Sequence, residues 1–220
     1  MRATEQLKQN CIADWQAATA HAFTGSLGAG TLDLDKMRGY LQQDYLFVEE
    51  FVRLLAAAIS NAPSLADAVP AAQFLAVITG PENTYFQRSL SALGVPEAAE
   101  HAPETTAFIT LMRNARLSGQ YEEMLAVLVV AEWSYLSWAS TMEDKADDLP
   151  FWFGEWITLH AGPGFSGVVD YLRGQLDSVW ETLPDSARAK VTETFTKAVT
   201  LERDFFDAAW AGFPVARAAA

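Results

Sequence analysis

Residues 124–142 read MLAVLVVAEWSYLSWASTM, an apolar run whose only charged side chain is Glu132. Its length approaches that of a membrane span, but a glutamate, three serines and a threonine suit the central helix of a bundle better. Burying an ionised carboxylate costs several kcal/mol unless partners compensate, so Glu132 is either satisfied structurally or used chemically.

Working outward, the chain reads as helix nearly throughout, without a convincing alternating strand pattern or a repeat. The signals predict a first helix over Thr4 to Phe23, stopped by the glycines of GSLGAG. A long helix starts at Asp33 or Asp35 and ends at Asn61, before Ala62-Pro63. A third runs from Ser64 to Leu93, with breaks or kinks expected at Pro70 and Gly80-Pro81. Pro96 to Pro103 is a loop, Glu104 to Leu117 a helix, and Gln120 to Lys145 the apolar central helix. Pro150 and Pro163 open two further helices, and Pro184-Asp185-Ser186 leads into a last one ending before Gly212.

The fold class is therefore all-α, with residues 1–220 expected to form one helical domain, because no Pro/Ser/Gly stretch is long enough for a linker. Half the residues are hydrophobic, ample for a core. A net charge of −13 without Lys/Arg clusters argues against a nucleic-acid partner. The single cysteine, Cys11, allows no internal disulfide and fits a cytoplasmic location, and no secretory signal or membrane span is expected.

Helical projection singles out three carboxylates. Asp44 falls with Tyr40, Phe47, Val48, Phe51 and Leu55, while Gln42, Gln43, Glu49, Glu50 and Arg53 take the opposite side. Glu202 projects with Phe195, Val199, Phe206 and Ala209, and Glu132 with Leu128, Tyr135 and Leu136. Glu82 lies on a semi-apolar face whose phase Pro81 disturbs, and reads as structural. One inward carboxylate is often an acceptor for a Tyr or Trp hydrogen. Three on separate helices point to one polar pocket. No Glu-x-x-His pair exists and His21, His101 and His160 lack ligand spacing, so no metal and no cofactor is expected. A phosphate loop, a serine elbow and a Cys–His pair are also missing, which leaves acid–base chemistry on a flat, ring-stacked ligand.

With these residues in view, GAGTLDLDKMRGYLQQDYLFVEEFVRLLA, LSGQYEEMLAVLVVAEWSYLSWA, FGEWITLHAGPGF and VTLERDFFDAAW together resemble the TenA family, also called thiaminase II, over essentially the whole chain. The resemblance implies a heme-oxygenase-like helical fold and a homotetrameric cytoplasmic hydrolase of thiamin salvage acting on aminopyrimidines. It implies that Asp44 hydrogen-bonds the aminopyrimidine, that Glu202 is the acid–base catalyst, and that Tyr135 lines the pocket. Phe47 and Phe108 stand where many members carry tyrosines, and so does His160. Where many members carry a nucleophilic cysteine this chain has Ala131, followed by Glu132, which excludes thiol catalysis there and resembles the cysteine-less branch. The expected mechanism is hydrolysis without a covalent intermediate: Asp44 fixes the pyrimidine edge; Phe47, Phe108 and Tyr40 or Tyr135 enclose its face; Glu202, with Glu132, manages the protons. The alternatives are a non-catalytic regulatory ligand-binding protein and a heme-oxygenase-like oxidoreductase.

Overall fold

A computed structural model describes residues Met1–Val215. Among them every regular element is helical. Three long helices carry the architecture: α4 (Leu34–Asn61), α8 (Tyr121–Ala139) and α11 (Asp185–Ala211). Around them lie α1 (Ala3–Asn10), α2 (Ile12–Thr19), α3 (Ala22–Gly28), α5 (Leu65–Val77), α6 (Asn83–Leu93), α7 (Pro103–Ser118), α9 (Phe151–Leu159) and α10 (Gly162–Trp180). A π turn, Ile78–Glu82, joins α5 to α6, and a 3₁₀ segment, Glu143–Asp148, precedes α9. No helix among the described residues is long and apolar enough to cross a membrane.

Local chemistry sets the boundaries. Asp33 caps α4, its carboxylate accepting from the amides of Asp35 and Lys36, and Ala62-Pro63 ends it. α8 is buried on nearly every side because it packs against α4, α7, α10 and α11, which explains a sequence with no polar stripe. α4 packs on α5, α6, α7, α8 and α11, so most of its circumference is covered too. One continuous buried cluster runs from Leu7 to Phe213.

The boundaries differ from expectation in three places. The first predicted helix is three short ones, broken at Cys11 (φ −126°) and at Ala20-His21, where the His21 ring Nδ1 accepts from the Phe23 amide and starts α3. Part of GSLGAG is thus helical, and the reversal is left to Gly30 at φ +67°. The central helix stops at Ala139, its predicted tail forming the 3₁₀ segment. Pro70 does not break α5: it sits near the exposed start, where the one backbone bond it forfeits falls on solvent-facing Ala66.

Pro81 has a larger effect. A proline offers no N–H to the carbonyl four residues back, and its ring crowds that carbonyl. The backbone answers by widening: the Asn83 amide reaches back to the Ile78 carbonyl, a five-residue step. Tyr45 Oη on α4 donates to Asn83 Oδ1 at 2.8 Å and braces this wide turn.

Candidate active site

α4, the π turn, α7, α8, α9 and α11 enclose a narrow cavity with about 70 Å³ of solvent-accessible space. Its polar lining consists of Asp44, Glu82, Glu132 and Glu202, with Tyr135 and His160. Phe47, Phe86, Phe108, Trp156 and Phe205 supply most of the ring walls. No Lys or Arg lines it. A roomier depression of about 460 Å³ lies outside, between α4, α6 and α7, but its lining charges, among them Glu49, Glu50, Arg53 and Arg113, largely pair with one another. Convergent unpaired polar groups on an apolar wall make the narrow cavity the candidate site.

The structure brings together Asp44, Phe47, Phe108, Glu132, Tyr135, His160 and Glu202 around this cavity. Ala131 and Glu132 both border it although adjacent helical residues point about 100° apart. α8 is enclosed all round, so the cavity wraps across two of its directions.

Two residues stand elsewhere than expected. Tyr40 is fully buried but lies behind the wall instead of against a ligand's face. Its hydroxyl accepts from Trp156 Nε1 at 3.0 Å and pairs with Tyr135 Oη at 2.8 Å. It thus fixes two lining rings, because α4 turns the Asp44 face toward the cavity while Tyr40, one turn earlier, meets Phe23, Phe205 and Phe206. Glu82, read as structural, is a lining residue: Ile78, Glu82 and Phe86 share the inner face of the π turn and α6. The Pro81 that blurred its helical phase is what signals its placement.

The electrostatics follow from burial without a cation. Burial pushes Asp44 up to about 8, the nearby Tyr40 hydroxyl offsetting part of the rise. Asp44 Oδ2 is buried and has no hydrogen-bond partner in the protein. Burial, then the Asp44 charge, lifts Glu82 to about 8. Glu202 is raised well above the carboxylate range by burial and then by Asp44. Glu132 is raised likewise, by burial and then by Glu82, Glu202 and Asp44 in that order. His160 is lowered to about 4 by burial and is neutral at physiological pH. Its Nδ1 lies 2.9 Å from the Trp156 carbonyl, which only accepts; the proton therefore sits on Nδ1 and Nε2 offers a lone pair. Such a site can grip a ligand through N–H donors and move protons between carboxyl groups near neutrality.

The remaining candidates for reactivity lie away from the cavity. Cys11 is buried against the Leu7 carbonyl, and burial raises its thiol to about 11, away from the nucleophilic thiolate. His21 caps α3, and His101 borders the outer depression. No group of three or more His, Cys, Asp or Glu among the described residues is placed to hold a metal ion.

Long helices closed around a carboxyl-rich, ring-walled cavity define a class of small-molecule site inside an all-α bundle. Residues 9–212 match the TENA/THI-4/PQQC family, and the chain belongs to it. It is 28% identical to the aminopyrimidine aminohydrolase of Halalkalibacterium halodurans over 89% of this chain and 90% of that protein. A TenA homologue from P. horikoshii superposes with a TM-score of 0.83 at 24% identity, covering 96% of this chain and 100% of that one. A domain with a heme-oxygenase-like fold from Shewanella denitrificans superposes at 0.69 with 12% identity over 94% of this chain and 92% of that one. The fold is thus the heme-oxygenase-like bundle expected from the sequence.

Proposed function

We propose that this chain is a thiamin-salvage hydrolase that cleaves a C–N bond of an aminopyrimidine, either the CH2–N bond of the aminomethyl compound, releasing ammonia, or the formyl C–N bond of its N-formyl derivative, releasing formate, without a covalent intermediate. The observation that carries the reading is the convergence of Asp44, Glu132 and Glu202 from three helices on one cavity without a cation. The family relationship supports it: the Halalkalibacterium relative is named for this activity.

Asp44 holds the pyrimidine edge, its unpaired Oδ2 accepting the amino N–H. Phe47 and Phe108, whose rings meet edge to face, border the heterocycle on one side and Tyr135 on another. Orientation in a water-poor cavity supplies much of the acceleration. Glu202 keeps its proton near neutrality and gives it to the leaving nitrogen, with Glu132 beside it. The catalytic and binding roles of Glu202, Glu132, Asp44, Phe47, Phe108, Tyr135 and His160 are all part of this reading, and Tyr40 acts by positioning.

One continuous core among the described residues supports treating the chain, read from its sequence as one domain over 1–220, as a single functional unit, with residues 216–220 outside the described part. The reading also carries a cytoplasmic location and a homotetramer, the latter from the family resemblance and checked by light scattering. Ammonia or formate release from the two pyrimidines tests the activity. Glu202→Gln is expected to abolish turnover and leave binding largely intact, whereas Asp44→Ala weakens binding strongly. A fully active Glu202→Gln enzyme overturns the assignment, and saturable binding without product release from either compound favours the regulatory alternative.

A further inference from the structure

The wide turn at Pro81 presents Ile78, Glu82 and Phe86 to one cavity, although Ile78 and Phe86 are eight residues apart and would diverge by about 80° on a regular helix. Glu82 is the fourth carboxylate at that cavity. The turn is held from several sides. Asn83 is tied to the Ile78 carbonyl by the five-residue bond and to α4 by Tyr45 Oη. Thr79 Oγ1 and Thr84 Oγ1 each donate to the carbonyl four residues back, at 2.8 Å, on either side of Pro81. π turns of this kind recur at functional sites.

We propose that Glu82 is a further catalytic residue, the base that takes a proton from the attacking water, and that Glu132 returns this proton to Glu202. The assignment rests on the hydrolase reading above. In the step itself the water O–H bond breaks and its proton goes to Glu82, while the oxygen bonds the pyrimidine's exocyclic carbon. The C–N bond breaks, and nitrogen leaves with its electron pair and the proton of Glu202. Glu82 is then protonated and Glu202 ionised. Passing one proton from Glu82 through Glu132 to Glu202 restores the start without bulk solvent.

The placement of the groups supports this order. Glu82 on the π turn, Glu132 on α8 and Glu202 on α11 all border the one cavity, so the relay needs no group from outside it. Burial raises Glu82, to about 8, and raises Glu202 as well, and no cation borders the cavity to reverse either shift. The other titratable groups bordering the cavity are Asp44 on α4, Tyr135 on α8 and neutral His160 after α9. None of them is a cation that would hold Glu82 ionised at lower pH.

The test measures kcat, KM and product affinity for wild type, Glu82→Gln and Glu82→Asp over pH 6 to 10, with the aminomethyl pyrimidine as substrate and the hydroxymethyl product as calorimetric probe. Wild type is expected to show kcat rising to a plateau through about pH 8. Glu82→Gln should lose at least tenfold in kcat, and the rising limb with it, at nearly unchanged product affinity. Glu82→Asp, with its carboxyl one methylene short, should keep the limb at reduced kcat. A Glu82→Gln enzyme within tenfold of wild type, or one that keeps the limb, overturns the role of Glu82 and leaves the hydrolase reading standing. A wild type that releases neither ammonia from the aminomethyl compound nor formate from its N-formyl derivative overturns both.

Discussion

Asp44 and Glu50 sit on the same helix, less than two turns apart, and both are buried, at 9% and 3% exposure. Their surroundings are opposite. Glu50 receives Arg116 Nε at 2.9 Å, with Arg53 and Arg113 at 3.5 and 3.7 Å, and so ties α4 to α7. Asp44 meets three other carboxyl groups across the cavity, no cation, and leaves an oxygen unpaired. Burial alone therefore does not distinguish an architectural carboxylate from a chemical one; compensation does. A fold that wanted only stability would have paired Asp44 as it paired Glu50.

The sharpest way to break this contrast is to remove one charge from each region. Glu202→Gln should lower kcat by about 10² to 10⁴ while the protein remains folded, because an uncompensated carboxyl is lost from the cavity. Glu50→Gln should do the reverse, with kcat per folded molecule unchanged and stability reduced by about 2 kcal/mol, read by urea denaturation. That is less than the 3–5 kcal/mol typical of fully buried pairs, because the three arginines are partly solvated. If the two variants behave alike, the division between the regions is wrong.

The same pair shows what the sequence made legible. Asp44, Glu132 and Glu202 stood out because each interrupts an apolar face, and periodicity alone found them. Glu50, Gln42 and Gln43 were placed on the polar side of α4, yet all three are buried. A helical wheel cannot show that the far side of a helix is covered by a loop. Gln43 Oε1 accepts from the Ala102 amide and Thr105 Oγ1, and Gln42 Nε2 donates to the Pro96 carbonyl, so these polar residues pin the loop before α7. Glu82 also projects onto an inner face but reads as structural, because Pro81 disturbs the phase there; the five-residue step shows how the chain passes the proline with Glu82 still at the cavity. Tyr40 was placed on the correct face and one layer too shallow, because direction around a helix carries no information on depth. Trp156, which holds Tyr40, lies on a short helix that reads as aromatic throughout. Gly154 allows that helix to settle on the 3₁₀ segment, where a Cβ would collide with the Ala146 carbonyl oxygen.

The contrast also predicts how stability responds to pH. Carboxyl groups raised in the folded state hold protons that the unfolded chain has released. Their contribution therefore worsens as pH climbs from the ordinary carboxylate range through about 8, the value reached by Asp44 and Glu82. His160 acts in the other direction: lowered to about 4, it penalises the folded state as pH falls below its ordinary 6.5. Between pH 6.5 and 8 the carboxyl cluster acts without that opposition. The midpoint of urea unfolding should fall across this interval, by about 1.4 kcal/mol per pH unit for each proton retained on folding. Asp44→Asn should flatten the slope and Glu50→Gln should not. A wild-type midpoint that stays level would contradict the uncompensated cluster.

Tyr40 gives the smallest and most discriminating effect. Its hydroxyl is the neighbour that offsets part of the rise at Asp44, and it accepts from Trp156 and pairs with Tyr135. Tyr40→Phe leaves the ring packing against Phe23 and Phe206 in place and removes only these bonds. The expected loss of stability is about 1 kcal/mol, the net worth of a hydrogen bond inside a protein. With that relief gone, Asp44 should ionise at higher pH, so the pH dependence of product binding shifts upward while the limiting affinity changes little. A ligand-facing Tyr40 would instead lose limiting affinity without moving the pH midpoint. Calorimetric titrations of wild type and Tyr40→Phe from pH 6 to 9 separate a residue that tunes Asp44 from one that touches substrate.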